Sequence, residues 1–205
     1  RNTTWTITRD ASLGLNFAGV NYYDGQGFMV KSSLGVSSAM ELSGAAVCIQ
    51  AGTTTELNLA DWGKANGIEY NSVVSDTNAQ TLTNYDSGRC DVLTTDASGL
   101  YSMRAAANDP SEHVVLPEII SKEPLGPVVR QGDDQWFNIV RWSLNAMITA
   151  EELGVTSATV DEVTNNPERE RLMGRSGSTH EYVGLTPDWT YQIVKQVGNY
   201  SESFE

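Results

Sequence analysis

The feature that most constrains this chain is a repeated coupling of a short apolar run to a helix-forming stretch. Ala45-Ala46-Val47-Cys48-Ile49-Gln50 reads as a buried strand. Gly52-Thr53-Thr54-Thr55-Glu56 follows, opening a helical stretch over 54–65 that Asn66-Gly67 stops. The pattern then repeats. A strand over 68–74 leads to a helix over 77–85 ended by Ser87-Gly88, and Cys90-Asp91-Val92-Leu93-Thr94-Thr95 leads to a helix over 96–107. Val114-Val115-Leu116 is a fourth short strand. Runs of this length, bounded by turn residues, are those of buried strands. Their starts, at Ala45, Ile68, Cys90 and Val114, recur about every 23 residues. That is the spacing of βαβ units, and it predicts a parallel sheet with helices on both faces. The period belongs to the supersecondary unit, since no sequence repeat accompanies it.

The flanks read differently. Val20-Asn21-Tyr22-Tyr23 and Gly27-Phe28-Met29-Val30 are extended chain interrupted by Asp24-Gly25-Gln26. The segment from Pro117 to Pro127 is a second extended connection, leading to Val128-Val129. A long helix is predicted from Asp133 to about Leu153, capped by Asp133 or Asp134 and stopped by Gly154, with shorter helices near Val160, over 167–173 and over 187–197. A compact α/β lobe is thus inserted between two segments that do not belong to it, which is the layout of a hinged, two-lobed protein. The expected organisation is 1–26 as part of a first lobe, 27–121 as a complete α/β lobe with hinge strands at its edges, and 122–205 as the remainder of the first lobe with C-terminal helices. The material before residue 30 is too short to supply the βαβ units of a sheet, so the first lobe is expected to be incomplete. An incomplete lobe leaves apolar surface that favours dimerisation.

Composition narrows the function classes. The chain has 205 residues and a formal net charge of −13, with 40% apolar residues. That is enough for a packed core and too acidic for the clustered Lys and Arg that nucleic acid requires. No stretch approaches the roughly 18–20 apolar residues of a membrane-spanning helix. Cys48 and Cys90 lie in no CxxC or Cys/His cluster, so neither a zinc site nor any other cofactor is expected. Two cysteines in an exported protein either pair or stay as buried thiols, and the residues leave both open. The opening, Arg1-Asn2-Thr3-Thr4-Trp5, has no basic n-region or apolar h-region, as expected of the mature form, or a fragment, of a protein exported on a signal peptide.

No catalytic set emerges: there is no GxSxG elbow, and neither His113 nor His180 has a motif around it. Three features suit binding. Thr53 and Glu56 fit a capping box, and the N–H groups and positive dipole end of the helix opening at Thr54 suit a small carboxylate, although a plain helix cap looks the same in sequence. Without a Lys after the glycine, this is no phosphate loop. Asp96 ends a predicted strand after Thr94 and Thr95, at the edge where open parallel sheets bind ligands, although it also suits the N-cap of the next helix. An anion site and a carboxylate at one edge suit a zwitterion, with its carboxylate on the N–H groups and its ammonium on Asp96. Arg9, near Asn2 and Thr4, offers a guanidinium fork to a carboxylate, a weak signal in isolation.

Five strings carry a family resemblance: 1–10 (RNTTWTITRD), 23–28 (YDGQGF), 50–56 (QAGTTTE), 88–96 (GRCDVLTTD) and 118–127 (EIISKEPLGP). Together, in this order, they resemble the polar and general L-amino-acid-binding proteins of ABC transporters, in the glutamate/glutamine/aspartate/asparagine branch of solute-binding protein family 3. The resemblance implies a type II periplasmic-binding-protein fold, two α/β lobes with parallel-rich sheets joined by a two-strand hinge, preceded in the family by a further N-terminal part. It implies a non-enzymatic protein of the Gram-negative periplasm, which captures an L-amino acid and delivers it to a membrane permease. It assigns the α-carboxylate to Arg9, Thr4 and the turn at Thr53 and Thr54, and the ammonium to Asp96 and the backbone carbonyl of Asn2; Thr94 and Thr95 reach toward the ligand side chain. The competing functions on this fold are a cyclohexadienyl-dehydratase-like enzyme and a ligand-sensing domain.

Overall fold

The computed structural model describes residues 3–204. In chain order its main elements are β1 (Leu15–Phe17), β2 (Tyr22–Asp24), β3 (Gln26–Lys31), β4 (Ala46–Gln50), α1 (Thr54–Asn66), β5 (Asn71–Ser75), α2 (Asn78–Asp86), β6 (Val92–Asp96), α3 (Ala97–Ala106), β7 (His113–Val115), β8 (Glu123–Leu125), β9 (Val128–Arg130), α4 (Asp134–Glu152), α5 (Pro167–Leu172), α6 (His180–Val183) and α7 (Trp189–Val197). They fall into two compact units. One holds Tyr22–Leu125 together with Thr4, and the other holds Trp5–Asn21 and residues 126–204. The bounds at Tyr22 and Leu125 lie just outside the 27–121 read from sequence, because β2 and β8 pair with each other. Thr4 groups with this unit, and not with the rest of the N-terminal segment, because it bridges to Leu125.

The first unit is built on a five-stranded sheet of order β5-β4-β6-β3-β7. β4 pairs parallel with both β5 and β6, as the βαβ spacing requires. The sheet is not wholly parallel, however. β3, read from sequence as extended flanking chain, inserts between β6 and β7 and runs antiparallel to both. The reason is the chain's return path. β3 enters from the opposite end, so its direction is set by the crossing segment and not by a crossover helix.

Side-chain alternation along the strands creates two cores, one on each face. Phe28, Val30, Val47, Ile49 and Val92 point to one side, where Leu59 and Trp62 of α1 cover them. Met29, Cys48 and Leu93 point to the other, against Tyr85 of α2 and Leu100 of α3. Each large apolar side chain buried in this way contributes roughly 2 kcal/mol relative to exposure. α1 ends where Gly67 turns left-handed at φ +66°. Gly25 has a different reason to lack a side chain: a Cβ there would overlap Ile119 and the Ser121 carbonyl oxygen.

The second unit contains the antiparallel pair β1–β9 and the helices α4 to α7. α4 follows the sequence expectation, with Asp133 Oδ1 accepting the Trp136 N–H at 2.9 Å at its start. Its core is small and centred on Ala150, Val155, Val160, Met173 and Val194. The helix expected near Val160 is absent; residues 157–161 form turns. Thr156 and Thr159 hydrogen-bond each other's backbone and hydroxyls there, the local competition that makes Ser- and Thr-rich runs poor helices. α6, four residues long, had no sequence signal. Trp136 and Trp142 of α4 are half exposed, and Tyr182 is almost fully so.

Cys48 and Cys90 form a disulfide that ties β4 to the turn entering β6. It closes a loop with a sequence separation of 42, for which chain entropy gives a stabilisation of about 4 kcal/mol. Replacing both cysteines with alanine should lower the unfolding free energy by a comparable amount in a urea titration monitored by circular dichroism. A loss below about 1 kcal/mol would contradict the assignment.

Candidate functional site

The sheet's parallel core decides where a site can form. β4 and β6 are neighbours in register at Val47↔Val92 and Cys48↔Leu93, so their carboxyl ends lie at one edge. β4 passes into α1 through the Gly52–Thr53 turn, and β6 passes directly into α3. Thr54, the first residue of α1, and Asp96, the last of β6, therefore share that edge.

Thr53 is the N-cap of α1, and its Oγ1 accepts the Glu56 N–H at 3.3 Å. The Glu56 carboxylate reaches back to the Gly52 N–H at 2.9 Å, one residue earlier than in a standard capping box. The other N–H groups of this first turn have no partner within the helix, and the helix dipole adds positive character there. Thr54 is half-buried, Thr95 is half-buried on β6, and Asp96 is 6% exposed. Asp96 occupies the N-cap position of α3 but makes no side-chain cap hydrogen bond to it.

Of the residues singled out from sequence, Thr4, Thr53, Thr54, Thr95 and Asp96 fall in the first unit. Thr4 and Thr54 are brought together, with hydroxyl oxygens 3.4 Å apart. Arg9 belongs to the second unit, in a helical turn over Thr8–Ser12, and is half-buried. Asn2 lies outside the described residues.

Three residues that sequence reading passed over organise this edge. Glu123 on β8 is 2% exposed, and its carboxylate accepts four hydrogen bonds. Oε2 receives the hydroxyls of Thr4 at 2.6 Å and Thr54 at 3.1 Å. Oε1 receives Asn58 Nδ2 and the Ser121 hydroxyl, each at 2.6 Å. A hydroxyl has one proton, so Thr4 and Thr54 spend theirs on Glu123 and face any ligand as acceptors. Gln26 of β3, fully buried, donates from Nε2 to the Thr55 carbonyl at 3.0 Å and to Thr94 Oγ1 at 2.9 Å. Thr94 Oγ1 passes its own proton to the Gly27 carbonyl at 2.7 Å. Gln26 thus ties the start of α1 to β6. Asp24 of β2 accepts the Ser98 N–H at 3.2 Å and the Ser98 hydroxyl, holding the first turn of α3. A carboxylate beside a proline, as in Glu123-Pro124, and a glutamine between two glycines are faint hints at best in sequence, because burial of polar groups depends on partners distant along the chain.

Other features read structurally. His113 is buried and shares a 3.1 Å hydrogen bond with the Tyr85 hydroxyl. Burial, and then the neighbouring Asp86 carboxylate, raise the Tyr85 pKa above its usual value. No group of three or more His, Cys, Asp or Glu side chains suited to a metal occurs among the described residues. No helix among the described residues is long and apolar enough to cross a membrane. A cavity of about 410 Å³ lies in the second unit, bordered by Trp142, Arg171, His180 and Trp189, and none of the residues singled out from sequence lines it.

No protein-family model matches the chain. Individual relatives do. Over 100% of its length it is 59% identical to the general L-amino acid-binding periplasmic protein AapJ of Rhizobium johnstonii, covering 61% of that protein. It is 54% identical to the glutamate/glutamine/aspartate/asparagine-binding protein BztA of Rhodobacter capsulatus, covering 62% of it. A solved ABC-transporter periplasmic binding protein from Brucella ovis, with glutathione bound, superposes with a TM-score of 0.95 at 56% identity, over 100% of this chain and 66% of that one. The chain thus spans somewhat under two thirds of the length of the relatives it matches.

Replacing Thr94 with valine removes the acceptor for Gln26 and the donor to Gly27 inside the sheet. This should destabilise the protein by about 2 kcal/mol in a urea titration, because buried polar groups are left unpaired. A change below about 0.5 kcal/mol would remove the Gln26–Thr94 link from the account.

Proposed function

Because the chain belongs, along its whole length, to the amino-acid-binding periplasmic proteins of ABC transporters, we propose that it captures L-amino acids outside the cytoplasm and hands them to a membrane permease. One observation carries the reading: Thr54, opening α1, and Asp96, ending β6, lie at the carboxyl ends of neighbouring parallel strands. An α-amino acid presents a carboxylate and an ammonium group on one carbon. The N–H groups and dipole of the α1 terminus meet the first, and the buried Asp96 carboxylate meets the second. The Thr4 and Thr54 hydroxyls, whose protons go to Glu123, do not donate to the α-carboxylate as the resemblance implied for Thr4; they offer acceptor contacts to the ammonium side of the ligand, and Thr53 and Thr95 line the pair's two sides.

Polar and acidic amino acids and their amides are the expected ligands. Glutathione carries the same free amino and carboxylate groups on its γ-glutamyl end, so one grip suits a free amino acid and a γ-glutamyl peptide alike. Binding selects a ligand-holding conformation and needs no covalent step. The Cys48–Cys90 disulfide supports an oxidising compartment, as does the chain's likeness to the periplasmic proteins AapJ and that of Brucella ovis.

The test uses the protein as its gene encodes it. Asp96→Ala should weaken L-glutamate and L-glutamine binding by about 100-fold or more in isothermal titration calorimetry, the scale of losing a buried charge partner. Unchanged affinity would take Asp96 out of the site, and an unsubstituted protein that binds no amino acid would overturn the reading.

A further inference from the structure

β2 and β8 form a two-stranded antiparallel ladder in which Asp24 stands opposite Glu123. Each of these facing carboxylates reaches away from the ladder to a different helix N-terminus. Glu123 holds α1, through the Thr54 hydroxyl at 3.1 Å and the Asn58 amide at 2.6 Å. Asp24 holds α3, through the Ser98 N–H at 3.2 Å and the Ser98 hydroxyl. The Ala97 N–H adds a bond to the Gly25 carbonyl at 2.8 Å. We infer that Asp24 and Glu123 are paired positioning residues, each setting the place of one half of the ligand grip: Glu123 the carboxylate end at Thr54, and Asp24 the ammonium end at Asp96.

The inference rests on the sheet edge being an amino-acid site and goes beyond it in dividing labour between two residues outside the grip itself. The chemistry supports the division. A carboxylate is an acceptor only, so it fixes hydroxyl and amide donors in one orientation. Glu123 has all four of its bonds filled by neighbours, and 2% exposure leaves it little contact with a ligand. Ser98 is the second residue of α3, two positions beyond Asp96, so holding Ser98 holds the strand end from which the Asp96 side chain springs. Small misplacements of such groups are costly, because charge-assisted hydrogen bonds depend steeply on distance and angle.

Ligand analogues lacking one charged end read the two halves separately. Calorimetry would compare L-glutamine with its α-amide, which lacks the α-carboxylate, and with its α-deamino analogue, which lacks the ammonium. The unsubstituted protein should prefer L-glutamine to both. Glu123→Gln, which turns an NH₂ toward the donors of Asn58 or Ser121, should shrink the preference over the α-amide by about tenfold and leave the other within about twofold. Asp24→Asn should do the reverse. Asn58→Ala and Ser98→Ala remove the partner and keep the carboxylate, and should repeat the same two patterns if a carboxylate variant fails to fold. Variants that weaken all three ligands by one common factor, or change none, overturn the inference and leave the amino-acid reading standing. An unsubstituted protein that binds none of the three overturns both.

Discussion

The parallel pairing of β4 with β6 is the constraint on which the rest depends. Two neighbouring strands that run the same way must end at the same edge, so the segments leaving them start side by side. One exit is the Gly52–Thr53 turn into α1 and the other is Asp96 at the mouth of α3. A helix N-terminus and a carboxylate thereby become neighbours without any long loop to position them. The disulfide strengthens this constraint by linking Cys48 of β4 to Cys90, just ahead of β6.

Around that edge two sets of polar groups meet. One is Thr53, Thr54, Thr95 and Asp96. The other is Glu123, Gln26 and Asp24, which connect α1, β6 and α3 to the β2–β8 ladder and to β3. Burying carboxylates and amides in this way is costly unless each is hydrogen-bonded, and Glu123 meets that condition with two donors on each oxygen. On the proposed reading, this network holds the groups that would grip the ligand, as a site discriminating by hydrogen bonds requires.

Much of the fold was legible in the sequence, because β4, β6 and β7 are short apolar runs with turn residues on both sides, and α1, α2 and α4 carry Thr or Asp caps; β5, polar and largely exposed, begins at Asn71, three residues later than the strand read over 68–74. The direction of β3 was not legible. Gly27-Phe28-Met29-Val30 has the composition of a buried strand, but its orientation follows from how distant chain returns, which no local pattern records. The turns around Val160 replace an expected short helix because Thr156 and Thr159 bond each other's backbone and hydroxyls locally. At the site, Thr54 and Asp96 could be named because they sit at strand and helix boundaries. Glu123 and Gln26 could not, because, Ser121 apart, their side-chain partners lie between 29 and 119 residues away. Arg9 and Asn2 came from the resemblance and from proximity in sequence to Thr4.

The central claim concerns where the two charged ends of a ligand rest, and a crystal structure of the protein with L-glutamine bound tests it most directly. The account predicts the α-carboxylate within hydrogen-bond distance of the Thr54 N–H and the α-ammonium on the Asp96 carboxylate. A ligand bound away from this sheet edge, or held there with its ends exchanged, would contradict it.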